Sequence, residues 1–598
     1  MSLKPSEEKV WEKYYSKEQL NIKIPNQSIL SSIIELNKHR LNLVARNYYG
    51  RKITYNEYFN NVYECVYALM AQGIGKGDVV TFLTPTLLES EYLFYAITEL
   101  GAVANLVDPR VDLNSIKKYI NSTNTKLIAA IDVAYPKLKP LLEELDIPVL
   151  RLSANDSLPF GLNIAKEAKD IIELLKDPKP VMPKNGKFIS YKTFINEGRK
   201  QNIKEIGSNY DPDRIAVLEY TGGTTGVQKA AIIPAGAINA QIYLQGNCLE
   251  RLRVGDTFLN IMPMFLSYGL VCGTITSMSR GMEVILVPGF KEDMLDDLLL
   301  KYRPNHMCGV PKFYENLPES EILRDADLSH LHSAIAGGAP MTLSSERKVN
   351  EFFKNHASSA KIQLGYGMTE LSSAFAYNWF DRCHEEGHVG IPLPQCNMKV
   401  VDENGEELPY NRQGILYCSG PTIMSGYLNE EIDALKMDEK GVKWVNTGDY
   451  AIINEDGLLK IVGRKKRSII RPDGHNVFPS NIEEVIASHD SVSEVMVIGL
   501  QMENYENGEI PTAFVKLNKE NNKSLSLIEE ELRKISLENL PERDVALQYY
   551  FVKELPYTKG VKPDFVALKR MYENGTLEYD LSTDEITLKL KPRKRFIW

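Results

Sequence analysis

A chain of 598 residues exceeds the roughly 250 to 300 at which a single hydrophobic core stops growing, so at least two domains are expected. Apolar residues make up 43% and charged residues 25%, which excludes a disordered chain, and a formal charge of -9 argues against nucleic acid as the main partner. No apolar run approaches the roughly 18 residues that cross a bilayer and the polar N-terminus lacks a signal's apolar core, so the expectation is a cytoplasmic protein without integral membrane association. Cys65, Cys248, Cys272, Cys308, Cys383, Cys396 and Cys418 are scattered singly and read as reduced thiols in core positions.

From Ile53 to about Asp108 helical and extended patterns alternate: TYNEYFNNVYECVYALMAQG is an amphipathic helix, VVTFL a buried strand and SEYLFYAITELG a second helix. KLIAAI, PVLRL, RIAVLEY and EVILV continue the rhythm as short β-branched runs, giving a large, mostly parallel or mixed α/β domain. Residues 153–210 read as surface loops and short helices. Within them Asn155-Asp156-Ser157-Leu158 resembles a phosphopantetheine-bearing serine, but no carrier domain surrounds it and it reads as a turn.

After residue 463 a basic stretch, GRKKRSIIRPDGHNVFP, precedes a compact α/β pattern, which divides the chain into 1–463 and 464–598. In the second part Ser480 and Glu483 have capping-box spacing before the helix IEEVIASH; SEVMVIGL, TAFVKL and QYYFVKEL read as strands. The tail alternates apolar and polar residues on either side of Ser-Thr-Asp-Glu, the pattern of a terminal β-hairpin.

The segment LEYTGGTTGVQKAA carries the strongest chemical signal. Thr221, Gly222, Gly223, Thr224, Thr225 and Gly226 follow a strand, and Lys229 comes three residues later. Glycines let backbone N–H groups approach an anion, threonines add donors and the lysine adds positive charge, as a phosphate-holding loop requires. Gln228 and Ala230 around Lys229 exclude a Walker loop.

Thr-Gly-Gly-Thr-Thr-Gly with its lysine resembles the signature of the adenylate-forming superfamily, which includes acyl- and aryl-CoA synthetases. Further motifs follow in that family's order. Gly337-Gly338-Ala339-Pro340 resembles its adenine-contacting turn, and Gly365-Tyr366-Gly367-Met368-Thr369-Glu370 its second nucleotide motif. Asn446-Thr447-Gly448-Asp449 and Gly463-Arg464 resemble its ribose and hinge motifs, and Leu555-Pro556-Tyr557-Thr558 with Lys562 its catalytic-lysine motif. Val561 stands where the family has glycine.

The resemblance implies a large N-terminal α/β domain of acyl-CoA synthetase type, a small mobile C-terminal α+β domain, and activation of a carboxylic acid by ATP before transfer to a thiol. It assigns Thr221, Thr224, Thr225 and Lys229 to the β- and γ-phosphates, Thr369 to the α-phosphate and Glu370 to Mg²⁺, a cation that prefers carboxylate and phosphate oxygens. Asp449 and Arg464 would hold the ribose, Lys562 would bridge the carboxylate and α-phosphate, Lys466 would be the hinge, and Gly474 would line the pantetheine path. In MPMFLSYGL, Leu266 occupies the place where amino-acid-activating relatives carry an Asp. With Phe265 and Tyr268 around it, this favours an apolar fatty or aromatic acid, since a buried ammonium without a partner is costly. The acceptor is coenzyme A, or alternatively a carrier-protein phosphopantetheine.

Two segments suggest other chemistry. His384-Glu385-Glu386-Gly387-His388 fits H-E-x-x-H, but Gly387 inside it and Gly390, Pro392 and Pro394 after it favour a loop over the helix that zinc binding needs. The tail segment KLKPRKR reads as a solvated charge run.

Overall fold

A computed structural model of the chain describes residues 4–159, 180–184, 186–201, 210–221, 228–379, 381–429, 434–471, 475–501, 508–518, 521–558 and 562–582. The βα rhythm of the first half is shared between two sheets. An eight-stranded sheet runs in the order Gly426–Tyr427, Lys229–Pro234, Ile215–Thr221, Val103–Leu106, Val79–Leu83, Thr125–Ile131, Val149–Leu152, Phe188–Ser190. A nine-stranded sheet runs Ile391–Pro392, Ser373–Tyr377, Ile362–Met368, Ser333–Gly337, His306–Gly309, Thr257–Asn260, Glu283–Leu286, Val44–Tyr48, Arg51–Thr54. Both are parallel at their centres with antiparallel strands at an edge. Within the stretch read as surface loops and short helices, Tyr191–Arg199 is a short helix, whereas Phe188–Ser190 is a strand that extends the first sheet.

Tyr55–Ala71 is helical as its periodicity requires: Tyr58, Val62, Cys65, Val66 and Leu69 form the buried face, and Thr54 caps the first turn by accepting from Glu57 N at 3.2 Å. Every residue of the helix Leu88–Glu99 is buried, including three glutamates. Each has a side-chain donor: Ser157 for Glu89, Ser28 for Glu99 at 2.5 Å, and Arg46 Nε at 2.6 Å with Tyr58 at 2.9 Å for Glu91, while Glu89 Oε2 is buried without a partner. Residues 154–157 form the expected turn. All seven cysteines are buried and free.

A third, five-stranded sheet contains Asn397–Val401, Gly414–Ser419, Lys443–Ile453, Leu435–Met437 and Leu459–Arg464. The small domain follows, with the sheet Val492–Leu500, Ile510–Leu517, Gln548–Val552, Tyr579–Ser582 packed against Pro479–Ala487 and Leu525–Asn539. Tyr579–Ser582 pairs with Gln548–Val552; the other half of the expected hairpin lies outside the described residues, as does the basic tail.

The capping box at Ser480 does not form. Pro479 takes the first helical position, for which its fixed φ suits it, so Phe478 is the N-cap. Ser480 Oγ donates to the Val462 carbonyl, and Glu483 accepts from Arg467 at 2.7 Å and Val497 N at 2.9 Å.

Candidate active site

The nucleotide-motif residues lie at strand ends that the two large sheets bring together. Thr221 pairs with Lys229 on adjacent antiparallel strands, which puts the two residues side by side at one end of the pair. Gly222, Gly223, Thr224, Thr225 and Gly226 lie outside the described residues. In the other sheet Gly337 is in register with Gly365 on adjacent parallel strands, placing Gly338-Ala339-Pro340 and Tyr366-Gly367 side by side at their carboxyl ends, where ligands of open α/β sheets bind. Gly338 has φ +81, a left-handed conformation that glycine adopts without strain.

Three contacts define the cleft. Asp449 is buried, and its carboxylate accepts from Tyr366 at 2.6 Å and Arg464 Nε at 2.8 Å. Burial raises its pKa, with Arg464 and Tyr366 opposing. Glu370, in the turn Thr369–Leu371, accepts from the Tyr427 hydroxyl at 2.5 Å; the Tyr427 ring lies 5.5 Å from Lys229 Nζ. Lys562 reaches across from the small domain. A methyl group added at Gly338 would lie 3.8 Å from Lys562 Cε and 3.9 Å from Nζ. Lys562 is exposed as a residue, yet desolvation of its ammonium lowers its pKa, Arg464 adds to that, and Glu370 opposes it.

Leu266 is half-buried where the two main hydrophobic cores meet, between buried Phe265 and Ser267. Arg110 lies 5.2 Å from the Phe265 ring centre, and the Tyr268 hydroxyl donates to the Ile335 carbonyl at 3.0 Å. Tyr268 begins a nine-residue π-helix, Tyr268–Thr276, a rare form often found at functional sites. Side chains at Gly269 and Gly273 would overlap the Pro263 carbonyl and the Asn260 side chain.

Sequence reasoning missed Glu219. It lies on the strand before the phosphate-motif loop, buried, with one oxygen held by Ser267 and the other without a hydrogen-bond partner. Burial pushes its carboxyl up to about 8, with Ser267 opposing the shift and Glu370 adding to it. A glutamate within the apolar run RIAVLEY was the available signal.

Other expected positions stand apart. Lys466 is exposed in the turn Lys465–Arg467, and Gly474 lies outside the described residues. His384 and His388 lie in a segment with no helix; His384 Nε2 is 3.7 Å from Glu346, and His388 Nδ1 is 3.6 Å from Glu385. Among the described residues no three His, Cys, Asp or Glu side chains converge as a metal site, and no helix is long and apolar enough to cross a membrane.

Comparison with known proteins agrees with this architecture. The profile of the AMP-binding enzyme family matches residues 35–428, and that of the AMP-binding enzyme C-terminal domain matches residues 481–562. A long-chain-fatty-acid–CoA ligase of Bacillus subtilis is 27% identical over 561 residues, covering 92% of this chain and 95% of its own. A probable CoA ligase of Humulus lupulus, CCL5, is 29% identical over 527 residues, covering 87% and 88%. Among solved structures, ATP-bound MatB from Rhodopseudomonas palustris superposes with TM-score 0.75 at 22% identity, covering 92% of this chain and 99% of its own. An anthranilate CoA ligase in complex with anthranoyl-AMP superposes with TM-score 0.77 at 20% identity, covering 93% and 100%. With a large α/β domain, a small C-terminal domain and both family profiles in order, the chain belongs to the AMP-binding enzyme family, as an AMP-forming acid–thiol ligase of the acyl-CoA synthetase fold.

Proposed function

We propose that this enzyme activates an apolar carboxylic acid, fatty or aromatic, as its acyl-adenylate and passes the acyl group to the thiol of coenzyme A. The observation that carries this reading is the position of Lys562 over the Gly338 turn, with Asp449, Arg464 and Glu370 around the same cleft. The carboxylate attacks the α-phosphorus of ATP, pyrophosphate leaves, and negative charge builds between the two reacting groups. Lys562 supplies a fixed positive charge there, in a setting where desolvation strengthens its effect.

Asp449 offers acceptors to the ribose hydroxyls and Arg464 a donor; Thr369 serves the α-phosphate, and the Gly337–Pro340 turn and Tyr366 flank the base. Thr221, Lys229 and the intervening Gly/Thr segment serve the outer phosphates. Glu370 is a buried carboxylate in the turn that follows the second nucleotide motif and suits Mg²⁺, which takes one or two carboxylates together with phosphate oxygens; bound there, the cation would neutralise phosphate charge. Division into 1–463 and 464–598, with Lys466 as the hinge, leaves the second unit free to turn after adenylation and admit the thiol past Gly474.

Leu266, Phe265 and Tyr268 form the acid-side wall. Burial drives the Glu219 carboxyl toward its neutral form and Leu266 carries no charge, so the wall offers an ammonium little counter-charge, which supports apolar acids. The composition supports a cytoplasmic setting without a nucleic-acid partner. A carrier-protein phosphopantetheine ends in the same thiol arm as coenzyme A and is the alternative acceptor.

The test is ATP–pyrophosphate exchange with hexanoate, dodecanoate, palmitate, benzoate, 4-coumarate, malonate and alanine, repeated with coenzyme A to score thioester. Exchange led by an apolar acid and thioester formed with free coenzyme A are the expected results. Preference for alanine would overturn the substrate class. Adenylate without thioester would favour the carrier-protein acceptor.

A further inference from the structure

The small domain is tied to the large one by an ion pair that lies outside the reacting groups. Lys312, on the short helix Pro311–Glu315, places Nζ 3.0 Å from Glu494 Oε1 on the small-domain strand Val492–Leu500. The side chains are only 18% and 13% exposed, so the pair is more than a solvated surface contact. Glu494 also faces Lys516 across its sheet at 3.1 Å, and its Oε2 accepts from the Tyr557 hydroxyl at 2.6 Å. Burial alone would raise the Glu494 carboxyl; Lys312, Tyr557 and Lys516 together hold it below the usual carboxylate range.

Tyr557 lies five residues before Lys562 and is tied to it through backbone contacts. Its backbone pairs with Pro563, Thr558 N donates to the Lys562 carbonyl at 2.8 Å, and Lys562 N donates to Thr558 Oγ1 at 3.1 Å. The large-domain end of the tie belongs to the same neighbourhood. Val310, two residues before Lys312, lies 3.8 Å from a methyl added at Gly338, the distance found for Lys562 Cε. One segment, residues 310–312, therefore borders the Gly338 turn under Lys562 and holds the carboxylate that accepts from Tyr557.

We propose that Glu494 is a positioning residue for Lys562 and, with Lys312, a latch that favours the adenylate-forming arrangement of the two domains; the inference rests on the functional reading above. Both sides have a spare partner when the latch opens. Glu494 keeps Lys516, and Lys312 has Glu315 one helical turn on, whose carboxyl already feels its charge. Neither charge is left uncompensated by rotation, so the latch can open and close in each turnover.

The experiment uses the full chain with Lys312→Met, Glu494→Gln and the double variant. Exchange with the best acid of the panel should fall about tenfold in each single variant, with KM for ATP changed less than about twofold, and the double variant should be no worse than the poorer single one. Thioester formation from supplied acyl-adenylate should hold or rise. Trypsin cleavage within Lys465–Arg467, identified by fragment mass, should be faster in all three variants. Equal falls in both half-reactions, or wild-type cleavage rates in the variants, would overturn the proposal. If the wild-type protein exchanges with no acid, the functional reading fails, and the cleavage rates still decide whether the latch exists.

Discussion

Tyr427 and Glu370 are joined through a 2.5 Å hydrogen bond that spans the two large sheets: Tyr427 closes the edge of the eight-stranded sheet, and Glu370 follows a strand of the nine-stranded one. The bond fixes one carboxylate oxygen and so aims the other. If Glu370 serves the cation, Glu370→Gln should raise the Mg²⁺ concentration for half-maximal exchange by about tenfold or more, and Tyr427→Phe should raise it less, since the carboxylate stays but loses its orienting donor. His384→Ala should leave turnover near wild type. Titration of exchange against Mg²⁺ checks all three, and a Mg²⁺ curve unmoved by Glu370→Gln would reject the assignment.

The two half-reactions should separate by residue. Lys562→Ala should lower pyrophosphate exchange by roughly two or more orders of magnitude while leaving thioester formation from supplied acyl-adenylate largely intact, because its charge matters while the carboxylate attacks. Lys466→Pro, which fixes φ at the proposed hinge, should do the reverse. Parallel losses in both reactions, with a lowered melting temperature, would show only a destabilised small domain.

Glu219 gives a pH signature. Its folded pKa of about 8 lies above the ordinary carboxylate value, so its contribution to stability is complete at acid pH and is lost as pH rises toward and through 8. Glu219→Gln cannot ionise and should escape that loss. Its melting temperature relative to wild type should therefore climb between pH 5 and pH 8, as read by thermal unfolding at stepped pH. A constant difference would place the Glu219 titration elsewhere.

Arg46 and Glu91 are both fully buried, so breaking the pair differs from removing it. Arg46→Met should destabilise the large domain by about 3 kcal/mol, at the low end for a stranded charge because Tyr58 and Thr274 still donate to Glu91. Adding Glu91→Leu should recover part of the loss. Denaturant midpoints for the single and double variants make the comparison.

The motifs were readable because each is a run of adjacent residues. Thr221 to Lys229, Gly337 to Pro340 and Gly365 to Glu370 announce themselves without any knowledge of the sheets, and the helix at 55–71 follows from periodicity. Relationships across the chain were hidden. Nothing near residue 50 says that Val44–Tyr48 joins Glu283–Leu286, or that the strands beginning at Val79 build a different sheet. Ser480 shows how local rules compete: proline at the first helical position outranked the capping box, and the freed side chains found partners at Val462, Arg467 and Val497. Glu219 and Glu494 were passed over because an isolated glutamate becomes informative only once burial and partners are known.

The π-helix at Tyr268–Thr276 limits how this pocket can be redesigned. Gly269 and Gly273 press bare backbone against Pro263 and Asn260, so the helix has no room to slide or to accept even a methyl group at those positions. Shifting this proposed acid-side wall would drive both glycines into Pro263 and Asn260. Attempts to change acid preference should therefore start from replaceable side chains, Leu266 first, and should leave both glycines untouched.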